Sequence, residues 1–148
     1  SIIRDVIKSI RIQVEIKDGV IHSNLRASSS QLEGDRIHLA NLVYNLLDNA
    51  NKYTPRKPAI RIRTENSGQG ITLKIEDNGV GISKHEQKKI FDKLYRIPTG
   101  NIHDVRGFGL GLSYVKAIVD EHKGKISIES EMNKQTIFTI YLPFKIPE

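Results

Sequence analysis

Ile2, Ile3, Val6, Ile7 and Ile10 recur at helical spacing with Arg4, Asp5 and Lys8 between them, which predicts an amphipathic helix from Ser1 to about Ile16. Asp18-Gly19 breaks it, and Val20 to Leu25 reads as a strand. Ala27 to Gly34 holds three consecutive serines and reads as a loop, with Asp35 as the N-cap of a long helix that runs to about Tyr53 and stops before Pro55. Two strands follow, Ala59 to Glu65 and Ile71 to Glu76. In the second, Ile71, Leu73 and Ile75 alternate with Thr72, Lys74 and Glu76, the period of a half-buried strand. The Asn66 to Gly70 segment between them reads as a hairpin loop.

After Gly79 and Gly81, Ser83 and Glu86 form a capping-box pattern for a short helix to about Lys93. Residues 96 to 106 have no periodicity and contain Pro98, Gly100 and Asn101. That is a long loop, and long loops in compact domains are usually functional. A last helix runs to about His122 and is closed by Gly124. Strands Lys125 to Ser130 and Thr136 to Leu142 end the pattern, with Phe138, Ile140 and Leu142 on one face. The sum is an α+β fold, about four helices layered on one sheet of five strands with antiparallel hairpins.

A length of 148 residues suits one domain with its own core. The absence of cysteine excludes disulfides, thiolate metal sites and thiol chemistry. No apolar run exceeds three residues, so the chain contains neither a bilayer span nor a signal-peptide core. Met132 is the sole methionine and Ser1 the first residue, so the chain is expected to be a piece of a longer protein or a processed one. The net charge of +6 favours anionic partners, nucleic acid and nucleotide polyphosphate among them, but the basic residues form no block.

Three segments offer chemistry. On the long helix, His38, Asn41, Asn45, Asp48, Asn49 and Lys52 fall within about 100° of arc, while Leu39, Val43, Leu46, Leu47 and Ala50 take the other side. Any surface helix has a polar face. Three asparagines on this one are unusual, because Asn costs about half a kcal/mol relative to Ala inside a helix. An Asn amide can offer oxygen to a hard cation and NH2 to a phosphate, and Lys52 adds a point charge. The second segment, Asp77 to Ile82, follows a strand directly. Gly79 and Gly81 let backbone pass close to a flat ligand, and the Asp77 carboxylate can accept from an exocyclic amine. The third, Gly107 to Leu112, opens a helix with glycines, where bare amides suit phosphate. It is neither a dinucleotide fingerprint nor a phosphate loop ending in Gly-Lys-Ser/Thr. Five of the chain's 11 glycines lie in the last two segments, which argues against chance.

In order and spacing these segments resemble the catalytic, ATP-binding domain of sensor histidine kinases, within the wider group of gyrase, chaperone and mismatch-repair ATPases. Asn45-Leu46-Leu47-Asp48-Asn49-Ala50-Asn51-Lys52-Tyr53-Thr54 resembles the N box. Asp77 to Ile82 resembles the G1 box, Phe91 to Arg96 the F box, and Gly107 to Leu112 the G2 box. The resemblance implies a two-layer α/β sandwich of the Bergerat type over residues 1–148, its sheet mixed and mostly antiparallel, with an ATP lid at about 95–106. It implies Mg2+ held by Asn49 with help from Asn45, and Lys52 and Arg96 on phosphate. Tyr53 would lie on the base or ribose, with Asp77 on the adenine amino group beside Gly79, Gly81 and Ile82. Amides of Gly107, Gly109, Leu110, Gly111 and Leu112 would face phosphate.

The final hairpin departs from the pattern at Gln135-Thr136, a change expected to be tolerated. The phosphoacceptor helix is missing: His22, His38, His85, His103 and His122 stand in no acceptor motif, so the γ-phosphate would pass to a histidine outside this chain. Related ATPases and serine kinases place a Glu where Asn45 stands, and Asn cannot act as a general base. The alternatives are such an ATPase or serine kinase, and a non-catalytic nucleotide-binding scaffold. A basic nucleic-acid module rests on charge alone. The implied partners are ATP or ADP, the phosphoacceptor helix and a response regulator, with no nucleic acid. The implied setting is the cytoplasmic side of a membrane-anchored bacterial sensor.

Overall fold

The computed structural model describes residues 2–27, 35–91 and 111–145. Four helices, α1 (Ile2–Ile16), α2 (Arg36–Lys52), α3 (Lys84–Gln87) and α4 (Gly111–Glu121), lie with five strands, β1 (Val20–Leu25), β2 (Ala59–Ser67), β3 (Gly70–Asp77), β4 (Lys125–Glu131) and β5 (Gln135–Pro143). The strands form one sheet in the order β1-β2-β3-β5-β4. Only β1 and β2 run parallel, and the connection between them passes through α2; every other pairing is antiparallel. The expected mixed sheet under a helix layer is therefore what the chain forms.

Strand parity builds the core. Ile60, Ile62 and Thr64 of β2 are buried, as are Leu73 and Ile75 of β3 and Phe138, Ile140 and Leu142 of β5. Above them, α2 packs between α1 and α4. Val6, Ile7, Ile10 and Val14 form the buried stripe of α1, and Leu42, Leu46 and Leu47 that of α2. Among the described residues no helix is long and apolar enough to cross a membrane.

Element ends differ from the sequence expectation in instructive ways. The first hairpin is tighter than a five-residue loop: Ser67 pairs with Gly70, leaving Gly68-Gln69 as a two-residue turn with Gly68 at φ +60°. At the end of α4 the left-handed residue is Lys123, not Gly124. Lys123 N–H reaches Asp120 O at 3.0 Å and Gly124 N–H reaches Val119 O at 2.9 Å, a Schellman closure. The glycine serves close approach instead, since a Cβ there would enter the Tyr141 carbonyl. Helix α1 ends the same way, with Asp18 left-handed and Gly19 packed on Pro58.

Helix α3 is shorter than expected. Ser83 caps it by accepting from Glu86 N–H, but Glu86 Oε2 has no partner among the described residues, so the reciprocal half of the capping box is not made through it. After Gln87 the chain tightens through Lys89 N–H to Glu86 O and carries Ile90 into the core.

The α1–β1 turn also braces the exit of α2. Lys17 Nζ donates to the carbonyls of Asn51 at 2.5 Å and Thr54 at 3.3 Å, satisfying acceptors at the helix end. Burial lowers the Lys17 ammonium from its usual value, and the nearby Asp48 carboxylate opposes that shift.

Ile140 is fully buried at the centre of β5, whereas Ile16 is 76% exposed. Ile140→Ala is expected to destabilise the fold by about 2–5 kcal/mol and Ile16→Ala by no more than about 0.5. Urea unfolding of both variants checks this; equal losses would place the core elsewhere.

Candidate functional site

The site begins with the parity of β3. Leu73 and Ile75 face the core, so Asp77, two residues on, is delivered to the same side. It is 4% exposed at the very end of the strand. Its neighbour across the sheet is Thr136 of β5, also buried. Asp77 Oδ1 accepts from Gly79 N–H at 2.8 Å. Burial pushes the Asp77 carboxyl up to about 6; the Gly79 hydrogen bond opposes the rise and the neighbouring Glu76 charge adds to it. A carboxylate held in this way has spare acceptor capacity and no cation beside it in any ion pair among the described residues.

The turn after Asp77 is fastened on three sides. A Cβ at Gly79 would lie 2.5 Å from Tyr53 O and 2.7 Å from Thr54 Oγ1, so only glycine lets the turn close on the end of α2. Val80 N–H donates to Tyr53 O at 3.0 Å. Thr54 is itself fixed by donating Oγ1 to Ala50 O at 2.9 Å. Asn78 turns away, accepting from Ala59 N–H and donating to Lys57 O. On the far side Asn133 N–H reaches Val80 O at 2.7 Å, and Ile82 N–H reaches Ser130 Oγ at 2.7 Å. Gly81, at φ +80°, packs on the Glu131 carbonyl. The final hairpin, where Gln135-Thr136 departs from the family pattern, is thus part of the frame around the turn.

Along α2, Asn45, Asp48, Asn49 and Lys52 are half-buried on one side, and Tyr53 caps the helix with its N–H on Asn49 O at 3.1 Å. Lys52 Nζ lies 2.9 Å from Asp48, an i,i+4 pair that an incoming anion would compete with. Helix α4 starts beside this face: a Cβ at Gly111 would stand 3.4 Å from Asn45 Oδ1. Its first turn contains no acidic side chain, so the positive end of its dipole meets no counter-charge from its own residues.

The structure therefore brings together Asn45 and Gly111 on one side, and Asp77, Gly79, Gly81, Tyr53 and Thr54 on the other, joined by α2, while Leu112 packs half-buried against the core. Ile82 is 5% exposed and belongs to the hydrophobic core beneath the turn. Arg96, Gly107, Gly109, Leu110 and the 95–106 lid lie outside the described residues. Among the described residues no group of three or more His, Asp or Glu is placed to hold a metal. A cation here would depend on amide oxygens and on oxygens of a ligand, and the Asn45 and Asn49 donors, one turn apart, suit a hard cation of that kind.

Sequence reasoning gave no role to Thr54, Asn78, Ser130 or Thr136. Thr136 was accessible to it, because continuing the Phe138, Ile140, Leu142 alternation back by one step puts Thr136 on the core face. The other three act through contacts between segments distant in sequence, which no local pattern reports.

The model of the family described as histidine kinase-, DNA gyrase B-, and HSP90-like ATPase matches residues 34–146. Sensor protein RprX of Bacteroides fragilis is 47% identical over 146 residues, covering 96% of this chain and 28% of that protein. Sensor protein CiaH of Streptococcus pneumoniae is 38% identical over 113 residues, covering 76% of this chain and 26% of that protein. The chain thus spans less than a third of the length of these relatives. Among solved structures, the mycobacterial sensor histidine kinase MprB matches with a TM-score of 0.81 at 26% identity, over 99% of this chain and 95% of that one. The nucleotide-free catalytic domain of histidine kinase ThkA matches with a TM-score of 0.79 at 25% identity, over 97% and 91%. On the family match, on the 47% identity and on a fold shared almost end to end with histidine kinase domains, this chain belongs to the histidine kinase-, DNA gyrase B- and HSP90-like ATPase family.

Proposed function

We propose that this chain, as a single domain, binds Mg-ATP and presents its γ-phosphate to a histidine on a helix outside residues 1–148, as the catalytic domain of a two-component sensor kinase. The observation that supports this most is Asp77: a buried carboxylate with spare acceptor capacity, set beside a glycine turn fastened to the end of α2. Its free oxygen suits the exocyclic amine of adenine. Gly79 and Gly81 let the turn beside the base subsite close on its neighbours, Ile82 supports the turn from below, and Tyr53 would lie against base or ribose.

The polyphosphate would run along α2 toward α4. Lys52 would leave Asp48 for phosphate, and the amides of Gly107, Gly109, Leu110, Gly111 and Leu112 are assigned to phosphate as well. Asn49, with Asn45, would hold Mg2+, which when bound neutralises phosphate charge. Arg96 is assigned to phosphate and the 95–106 segment to the lid. What these residues supply is positioning and charge stabilisation, the main requirements of phosphoryl transfer. By resemblance, the related ATPases and serine kinases carry a general-base Glu where Asn45 stands, one turn from Asn49, and an amide cannot take a proton. Transfer to an external histidine fits that residue better than hydrolysis. The relatives are named sensor proteins, and within this proposal the chain is the cytoplasmic domain of a membrane-anchored sensor that hands phosphate to a response regulator, with no role for nucleic acid.

Asp77 links recognition to stability with opposite signs. Its folded pKa is raised, so its favourable contribution to the ligand-free fold is complete below the usual carboxylate range and lost as pH rises through about 6. Roughly 2–3 kcal/mol is at stake. Asp77→Asn is therefore expected to raise the urea midpoint at pH 7.5 and to weaken ADP binding at least about tenfold, because an NH2 would face the adenine NH2. Calorimetry and urea unfolding on the same variant check both; unchanged affinity removes Asp77 from the base. Wild-type affinity should also fall as pH drops below about 6, with the variant flat across that window.

Asn49→Ala is expected to reduce ATP affinity about tenfold or more with Mg2+ and far less in EDTA. Equal losses in both conditions would take Asn49 off the metal.

A further inference from the structure

Two contacts near the start of α4 tie it to the polar face of α2. Gly111, the first residue of α4, abuts the Asn45 carboxamide. One turn further on, Tyr114 Oη lies 2.6 Å from His38 Nδ1, seven residues up α2 from Asn45. The two rings are tilted at 41° with centroids 6.0 Å apart, so the contact is a hydrogen bond between ring edges and not a stack. The order of contacts, 111 with 45 and 114 with 38, shows that α4 runs back along α2.

Burial of Val115, Ile118 and Val119 attaches α4 to the core, but apolar burial has no direction. A short hydrogen bond one turn from the helix start adds a directional constraint that apolar packing does not supply. His38 is exposed and Tyr114 half-buried, so water could satisfy both groups and neither needs the other for burial. What the bond adds is orientation of the first turn of α4, which begins beside Asn45 at Gly111 and contains no acidic side chain.

We propose that His38 and Tyr114 are positioning residues for polyphosphate: their hydrogen bond aims the N-terminal amides of α4, and neither residue touches the ligand. The proposal rests on the nucleotide reading above. It explains why His38, on the polar face of α2, points at another helix and not into the site.

The test compares ATP and adenosine affinities, followed by amide NMR shifts, in the 148-residue chain and in Tyr114→Phe, His38→Leu, His38→Gln and the Tyr114→Phe/His38→Leu double variant. Tyr114→Phe and His38→Leu should each weaken ATP about three- to tenfold and leave adenosine unchanged. The double variant should lose no more than either single variant, and His38→Gln, which can still bond to the hydroxyl, should recover most of the affinity. Thermal unfolding midpoints should move little. ATP affinity unchanged in both single variants, additive losses, or equal losses for ATP and adenosine would overturn the positioning role. Failure of the wild-type chain to bind ATP at all would overturn the nucleotide reading and this proposal with it.

Discussion

A carboxylate taken almost completely out of water at the end of a strand is costly, and the arrangement around Asp77 is organised by that cost. One backbone N–H, from Gly79, donates to it, and no cation pairs with it among the described residues. The carboxyl answers by holding its proton to about pH 6. Once ionised, the buried carboxylate has lone pairs left over, and a donor delivered to it restores hydrogen bonding that burial removed. The exocyclic amine of a purine is such a donor. In the proposed reading the unfavourable burial is the source of recognition, and ligand binding relieves it.

Keeping the carboxylate there requires a turn that cannot drift. The turn from Asn78 to Ile82 is fastened to the end of α2 by Val80 and Gly79, to the β2 entry by Asn78, and to the final hairpin by Asn133 and Ser130. Lys17 in turn braces the carbonyls where α2 ends. The same helix presents Asn45, Asn49 and Lys52 and receives the start of α4. The proposed base and phosphate subsites therefore share one element, and a displacement of α2 would disturb both.

Much of this was legible in the sequence. The alternation Leu73, Ile75 continues to Asp77, so strand parity alone puts that carboxylate on the core side. Helical periodicity separates the asparagine face of α2 from its leucine face. Two kinds of information were hidden. Gly124 and Gly19 suggest left-handed helix ends, yet Lys123 and Asp18 take that conformation, because the glycines are needed where another segment presses on the backbone. Asn51, four residues from Leu47 on the buried side of α2, gives no local sign that its carbonyl will meet Lys17 from a distant turn. Contacts of this kind depend on how elements dock, and a one-dimensional pattern records only what each element prefers.

The most direct test is the carboxyl titration of Asp77 by carbon-13 NMR, with and without ADP. The account predicts a midpoint near 6 in the free chain, shifted down by at least about one unit with ADP, because the amine favours the ionised form. A midpoint in the ordinary carboxylate range in the free chain, or one that ADP leaves in place, would contradict it.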